Sequence, residues 1–197
     1  MLARRHFLTI TSAMMFPLPA HAAEPVGEAV LVRGPSTLLR ANSTRALQEQ
    51  ASLFEGDLVR TGEDAFAQLL LDTATRINLG PQSEIGVDKF IADLGGEITI
   101  GGAIVFDRPD DLPKIDLQLR SSFGQIGVRG TRFFAGPSNG SYAVFVDRGA
   151  VTVTAGGVTR NVGPGQGVNL AGNDAAPTES SAWGQARIDA AFANVGL

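Results

Sequence analysis

The chain is 197 residues long with a formal charge of −4, and it holds 24 glycines, ten prolines and no cysteine. Such a length fits one domain with a sizeable core, and the missing cysteine excludes disulfide frameworks and thiolate sites. Gly and Pro recur without a collagen-like period between segments rich in Val, Ile, Leu and Phe, so they mark tight turns and not disorder.

Taken in chain order, residues 1–22 have the three parts of an export signal. The basic start is Arg4-Arg5, followed by His6-Phe7-Leu8, and this paired lead resembles a twin-arginine signal, whose cargo is exported folded. Thr9 to Leu18 is too short and too polar to span a bilayer, which needs about 20 apolar residues. Ala20-His21-Ala22 is an A-x-A cleavage site, placing the mature start near Ala23. Both histidines and all three methionines lie in this segment, so residues 23–197 hold no His, Cys or Met. Ser-His-Asp, Cys-His and imidazole or thiolate metal chemistry are thereby excluded. Two of the sixteen basic residues and none of the twenty acidic ones are removed with the signal, leaving a net charge of −6. With only Lys89 and Lys114 remaining and the arginines scattered singly, nucleic acid and anionic membrane surfaces are poor partners.

From Val26 to Leu170 short apolar-alternating runs are each closed by Gly, Pro, Asn or Asp, which is all-β punctuation. Ser43 to Leu53 is the one stretch with a weak helical stripe, and a loop over the sheet is the preferred reading. Leu69-Leu70-Leu71 and Ala143-Val144-Phe145-Val146 are apolar on both faces and are expected between layers. Glu97 to Ile100, Ile115 to Arg120 and Val151 to Thr154 alternate as half-buried strands do. Turns are expected at Glu55-Gly56-Asp57, Gly95-Gly96, Gly101-Gly102, Asn139-Gly140, Arg148-Gly149 and Gly156-Gly157. These runs make about twelve to fourteen strands. After Gly172 the chain turns polar, and Trp183 to Val195 then reads as a helix with Trp183, Ile188, Ala191, Phe192 and Val195 near one face. Ser180 or Ser181 is the expected cap. Such a helix covers an open edge or end of the β-domain; the alternative is partner docking through Trp183, Ile188 and Phe192.

Four segments, in order, resemble the periplasmic domain of the FecR family. They are Leu53-Phe54-Glu55-Gly56-Asp57-Leu58-Val59-Arg60-Thr61-Gly62; Ala65 to Leu71 leading through Arg76-Ile77-Asn78-Leu79 to Pro81 and Ser83; Phe123 to Phe133 with Val128-Arg129-Gly130-Thr131-Arg132-Phe133; and Val146 to Val153 with Val162 to Gln166. One departure is Asp72-Thr73-Ala74-Thr75, where the family usually has Gly after the Asp, so that hairpin must use another turn. The resemblance implies an extracytoplasmic binding or signal-receiving module. Members that regulate iron uptake look like inner-membrane anti-sigma proteins with a cytoplasmic domain and one span; neither is read in this chain, so direct regulation is not carried over.

The family-motif residues Gly56, Asp57, Arg129, Gly130, Thr131 and Phe133 admit two readings. Arg129 can offer a planar fork to a carboxylate, or Gly130 simply permits a bend between Gln125–Val128 and Arg132–Ala135 with Arg129 paired internally; the second is preferred. Asp107, Asp110 and Asp111 are hard-oxygen donors of the calcium type, but their spacing matches no calcium loop and favours a solvated acidic loop. Gly163-Pro164-Gly165-Gln166-Gly167 lacks the Lys and following helix of a phosphate loop. No acid pair is singled out for glycoside hydrolysis. Tyr142 and Trp183, alone of their types, supply a glycan-stacking platform only if exposed.

The expectation is an all-β domain over residues 23–172, either a two-layer β-sandwich or a short β-roll or solenoid of antiparallel hairpins, with two packed layers preferred, followed by a linker and amphipathic helix over 173–197. Its function is expected to be non-catalytic and cofactor-free: recognition of an envelope protein partner from the periplasm, in signal relay. Attachment to peptidoglycan or another glycan, and a structural role in an envelope assembly, are the alternatives.

Overall fold

Period-two alternation sends successive side chains to opposite faces of a strand, and in this chain one face of nearly every strand is apolar. The computed structural model describes residues 23–91, 94–128, 131–173 and 175–197. Among them the strands form two nine-stranded sheets. The first sheet begins with β1 (Gly27–Arg33). The chain crosses to the second sheet for β2 (Ser36–Arg40) and β3 (Ser43–Ala46), returns for β4 (Ser52–Leu53), and crosses again for β5 (Leu58–Thr61). Hairpin β6 (Phe66–Leu71) with β7 (Thr75–Leu79) lies in the first sheet, and β8 (Glu84–Ile91) with β9 (Gly95–Gly101) in the second. β10 (Ile104–Asp107) stands singly in the first, then β11 (Asp116–Ser121) and β12 (Gly124–Val128) pair in the second. β13 (Arg132–Ser138) and β14 (Ser141–Arg148), β15 (Val151–Ala155) and β16 (Val158–Val162), and β17 (Gln166–Leu170) and β18 (Ser181–Ala182) continue the alternation between sheets. One helix, α1 (Gln185–Ala193), follows.

The two architectures expected from the sequence merge in this arrangement. The layers pack face to face as in a sandwich, yet apart from β1–β4 and β2–β3 at one edge, strands follow chain order across both sheets as in a roll. The eighteen strands among the described residues exceed the expected twelve to fourteen because short ones escape pattern reading: β3 and β4 occupy the stretch expected to be a loop, and β4 and β18 have two residues each. Among the described residues every pairing is antiparallel except β9 with β11. Parallel neighbours need a crossover, and here β10 supplies it by running back through the opposite sheet.

Leu38, Val59, Ile85, Ile98, Leu117 and Val153 from the second sheet meet Ala29, Leu69, Ile77, Phe106, Phe133 and Val144 from the first in one core. Leu70, expected between layers, is only half-buried, on the outward face of β6 that it shares with Phe66 and Gln68. On that outer face Val105, Phe134, Ala143 and Phe145 meet Trp183, Ala191 and Val195, with Ile188 and Phe192 packed alongside. The helix therefore covers a sheet face and not an edge. Its start is capped by Gly184 with no side-chain hydrogen bond; Ser180 and Ser181 fall too early, Ser181 being spent in β18.

Candidate functional site

Register places the ends of the strands into two loop clusters. One gathers the starts of β9 and β11 with the ends of β8, β10 and β14, since Ile91 pairs with Gly95, Gly95 with Asp116, and Asp107 with Arg132 and Arg76. Of the family-motif residues, Gly56 and Asp57 pack against β8, and Thr131 lies between β10 and β14. Gly56 takes a φ of +83°, a left-handed conformation that favours glycine, and the turn presents Asp57 inward with 1% of its surface exposed. Both Asp57 carboxylate oxygens accept from Arg40, Nε and a terminal nitrogen each at 2.6 Å, and Oδ2 also accepts the Phe54 amide at 2.9 Å. The Arg40 guanidinium lies 4.3 Å from the Phe54 ring centroid, and its hydrogen bond to Asp57 raises its pKa. The same turn clasps β8: the Gly56 amide donates to the Val87 carbonyl at 2.8 Å, the Val87 amide to the Asp57 carbonyl at 2.9 Å, and the Phe90 amide to the Glu55 carboxylate at 3.0 Å.

Arg129 and Gly130, like Arg4, Arg5, Ala20 and Ala22, lie outside the described residues. Thr131 is fully buried, its hydroxyl donating to the Arg148 carbonyl and its own carbonyl accepting the Arg108 amide at 3.1 Å. Phe133 is buried and stacks on Phe106 at 5.4 Å. The acids Asp107 and Asp110 both reach Arg148, at 3.0 and 2.7 Å, and Arg132 bridges Asp147 at 2.9 Å. Arg148 has its pKa raised: burial pulls it down, and the hydrogen bonds and charges of Asp110 and Asp107 outweigh that. The acidic loop is thus internally compensated, and no three acidic or metal-ligating side chains converge among the described residues.

Sequence reasoning passed over Arg108. Its side chain is 1% exposed and ion-pairs with Asp72 at 2.9 Å, donates to Thr75 Oγ1 at 2.7 Å and to the Pro113 carbonyl at 3.2 Å. It locks the crossing loop between β10 and β11 to the β6–β7 hairpin. That hairpin solves its missing glycine through Asp72 itself, which takes φ +49° and accepts the Ala74 amide on Oδ1 at 2.7 Å. Nothing local flags Arg108, since its partner is 36 positions away.

Among the described residues the exposed large apolar side chains are Ile91 at 43%, Leu94 at 67% and Leu197 at 52%. Ile91 and Leu94 flank the tip of the β8–β9 hairpin, which the Leu94 carbonyl ties to the Asp116 amide at 2.9 Å. Exposed Lys89 and Asp116 stand beside them. The proposed docking residues of the helix sit differently. Trp183 is 8% exposed, stacked on Phe145 at 4.9 Å, with Arg187 3.6 Å above its other face. Gly167 makes room for it, since a Cβ there would run into the indole nitrogen. Ile188 and Phe192 are half-buried against the sheet. Tyr142, 6% exposed, stacks on Phe123 at 4.5 Å.

The family model for FecR protein matches residues 57–152, which begins at the Asp57 clasp and ends within β15. Two crystal structures of a proposed anti-sigma factor from Parabacteroides distasonis share the fold, each with 16% identity and a TM-score of 0.56 over 68% of this chain. The matched region spans 64% and 63% of those chains. No curated protein matches the sequence. Among the described residues no helix is long and apolar enough to cross a membrane.

Proposed function

Residues 57–152 of this chain form a FecR protein domain, and on that premise we propose that the chain is a non-catalytic sensing module that recognises a protein partner at the cell envelope in signal relay. The observation that carries this reading is the β8–β9 tip, where Ile91 and Leu94 are exposed on a hairpin clasped by Glu55, Gly56 and Asp57. Two exposed apolar side chains on a rigidly based hairpin, beside exposed Lys89 and Asp116, are suited to anchor in a partner's pocket. Residues 1–22 are read as its twin-arginine export signal and 23–197 as the periplasmic protein, with 173–197 serving as the cover of the first sheet.

Glycan attachment has less support. The aromatic rings it would stack on, Tyr142 and Trp183, are buried against the chain's own side chains.

The test is photo-crosslinking in cells from position 94, with Thr159 on the outer face of the second sheet as the control position. We expect one envelope protein captured from 94 and not from 159. The variant Ile91→Asp/Leu94→Asp should lose that capture while its stability changes by no more than about 0.5 kcal/mol per site. Equal capture at both positions, or undiminished capture in the variant, overturns this reading.

A further inference from the structure

The opposite end of the sandwich carries a cavity of about 310 Å³. Its floor is the mouth of the core: Ile100 from β9, Tyr142 from β14 and Leu170 from β17, each no more than 6% exposed. Its rim has Pro137 and Ser141, from the facing ends of β13 and β14, on one side and Phe123, from the β11–β12 turn, on the other. No charged side chain lines it. At that volume it sits at the lower end of the range of about 300–1,000 Å³ in which proteins hold small molecules.

Two features make it more than a packing gap. The Tyr142 hydroxyl is buried and has no hydrogen-bond partner among the described residues, a disfavoured state for a polar group that native interiors almost always relieve. Burial also raises its pKa, so it remains a neutral phenol able both to donate and to accept. The second feature is Phe123, whose half-buried ring is nearly parallel to Tyr142, 12° between planes. Phe123 is borne on the β11–β12 turn, which Ser121 holds by accepting the Phe123 amide at 3.2 Å and donating to the Gly124 carbonyl at 3.2 Å. Side-chain rotation at Phe123 alone would open the face of Tyr142.

We propose that this end of the fold binds a small, neutral, planar aromatic molecule with one hydrogen-bonding group, stacked between Phe123 and the core and bonded to the Tyr142 hydroxyl. Phe123 and Tyr142, 4.5 Å apart, stack directly on each other, and a planar ring takes up that stacking once Phe123 turns aside; the uncharged lining disfavours ions, and the orphan hydroxyl selects for a polar group at one point. The site lies at the far end from the β8–β9 tip and stands independently of partner recognition.

Tyr142 is the only tyrosine in the chain, so protein labelled with 3-fluorotyrosine gives a single ¹⁹F resonance that reports this site. Titration with 1-naphthol is expected to shift that resonance saturably, with naphthalene binding about tenfold more weakly by calorimetry. Tyr142→Phe should bind the two probes equally, while Phe123→Ala weakens both. No shift up to about 1 mM 1-naphthol, or a Tyr142→Phe variant that still prefers 1-naphthol, overturns the assignment.

Discussion

At the scale of single residues, the described motif positions Asp57, Thr131 and Phe133 are buried in contacts internal to the fold. Asp57 is fully enclosed while the Arg40 side chain is 35% exposed, so the pair is half-wet and its worth is less than that of a dry ion pair. Asp57→Ala strands the Phe54 amide and the Arg40 fork and is expected to lower stability by about 2 kcal/mol in urea unfolding. Arg40→Ala, which leaves the carboxylate its amide donor, should cost less. Tyr142 sets an alkaline limit. Its folded pKa is raised, so its contribution is unchanged below the unfolded value of about 10 and falls above it as the unfolded chain alone releases the proton. The expected slope is about −1.4 kcal/mol per pH unit above that point, absent in Tyr142→Phe, and tyrosinate absorbance should rise only as the native protein unfolds. Asp57 and Thr131 were legible as special positions from the motifs around them; their buried partners were not, because Arg40 and the Arg148 carbonyl are each 17 positions away.

Elements divide by what lies over them. Where nothing covers a sheet, alternation is clean, as in β11 with Leu117 and Leu119 buried and Asp116, Gln118 and Arg120 exposed. Where α1 and Trp183 cover β14, Tyr142 to Val146 are buried without a break. The cover is energetically a part of the core: Trp183→Ala should destabilise by about 3 kcal/mol, whereas Phe192→Ala, half-buried, should cost about 1 kcal/mol. Trp183→Phe should be nearly neutral, because the indole N–H it removes has no partner among the described residues. Thermal unfolding of the three variants checks the order; a Trp183→Ala protein as stable as the parent would mean the helix does not cover the sheet in solution. The helix was readable from its apolar stripe, but its cap was not, since a serine is recruited as readily by a short strand as by a helix start.

For the whole molecule, the export reading makes a separate demand. Twin-arginine carriers recognise the arginine pair itself, so Arg4→Lys/Arg5→Lys should leave the precursor in the cytoplasm without altering the folded protein, as followed by fractionation; undiminished export would assign the signal to another route. The all-β class, most of the turns and the lack of imidazole and thiol chemistry in residues 23–197 were set by composition and by spacings of two residues, because strand alternation and turn geometry depend on near neighbours; Gly95-Gly96, expected as a turn, instead opens β9, paired with both β8 and β11. Assembly at long range added the rest. The chain alternates between two sheets, and Arg108 with Asp72 secures the one parallel junction. Ile91 and Leu94 stand exposed on the β8–β9 hairpin, and a cavity opens beside Tyr142. Such features arise when strands distant in the chain come into register and share or withhold cover, a matter that no local window of sequence contains.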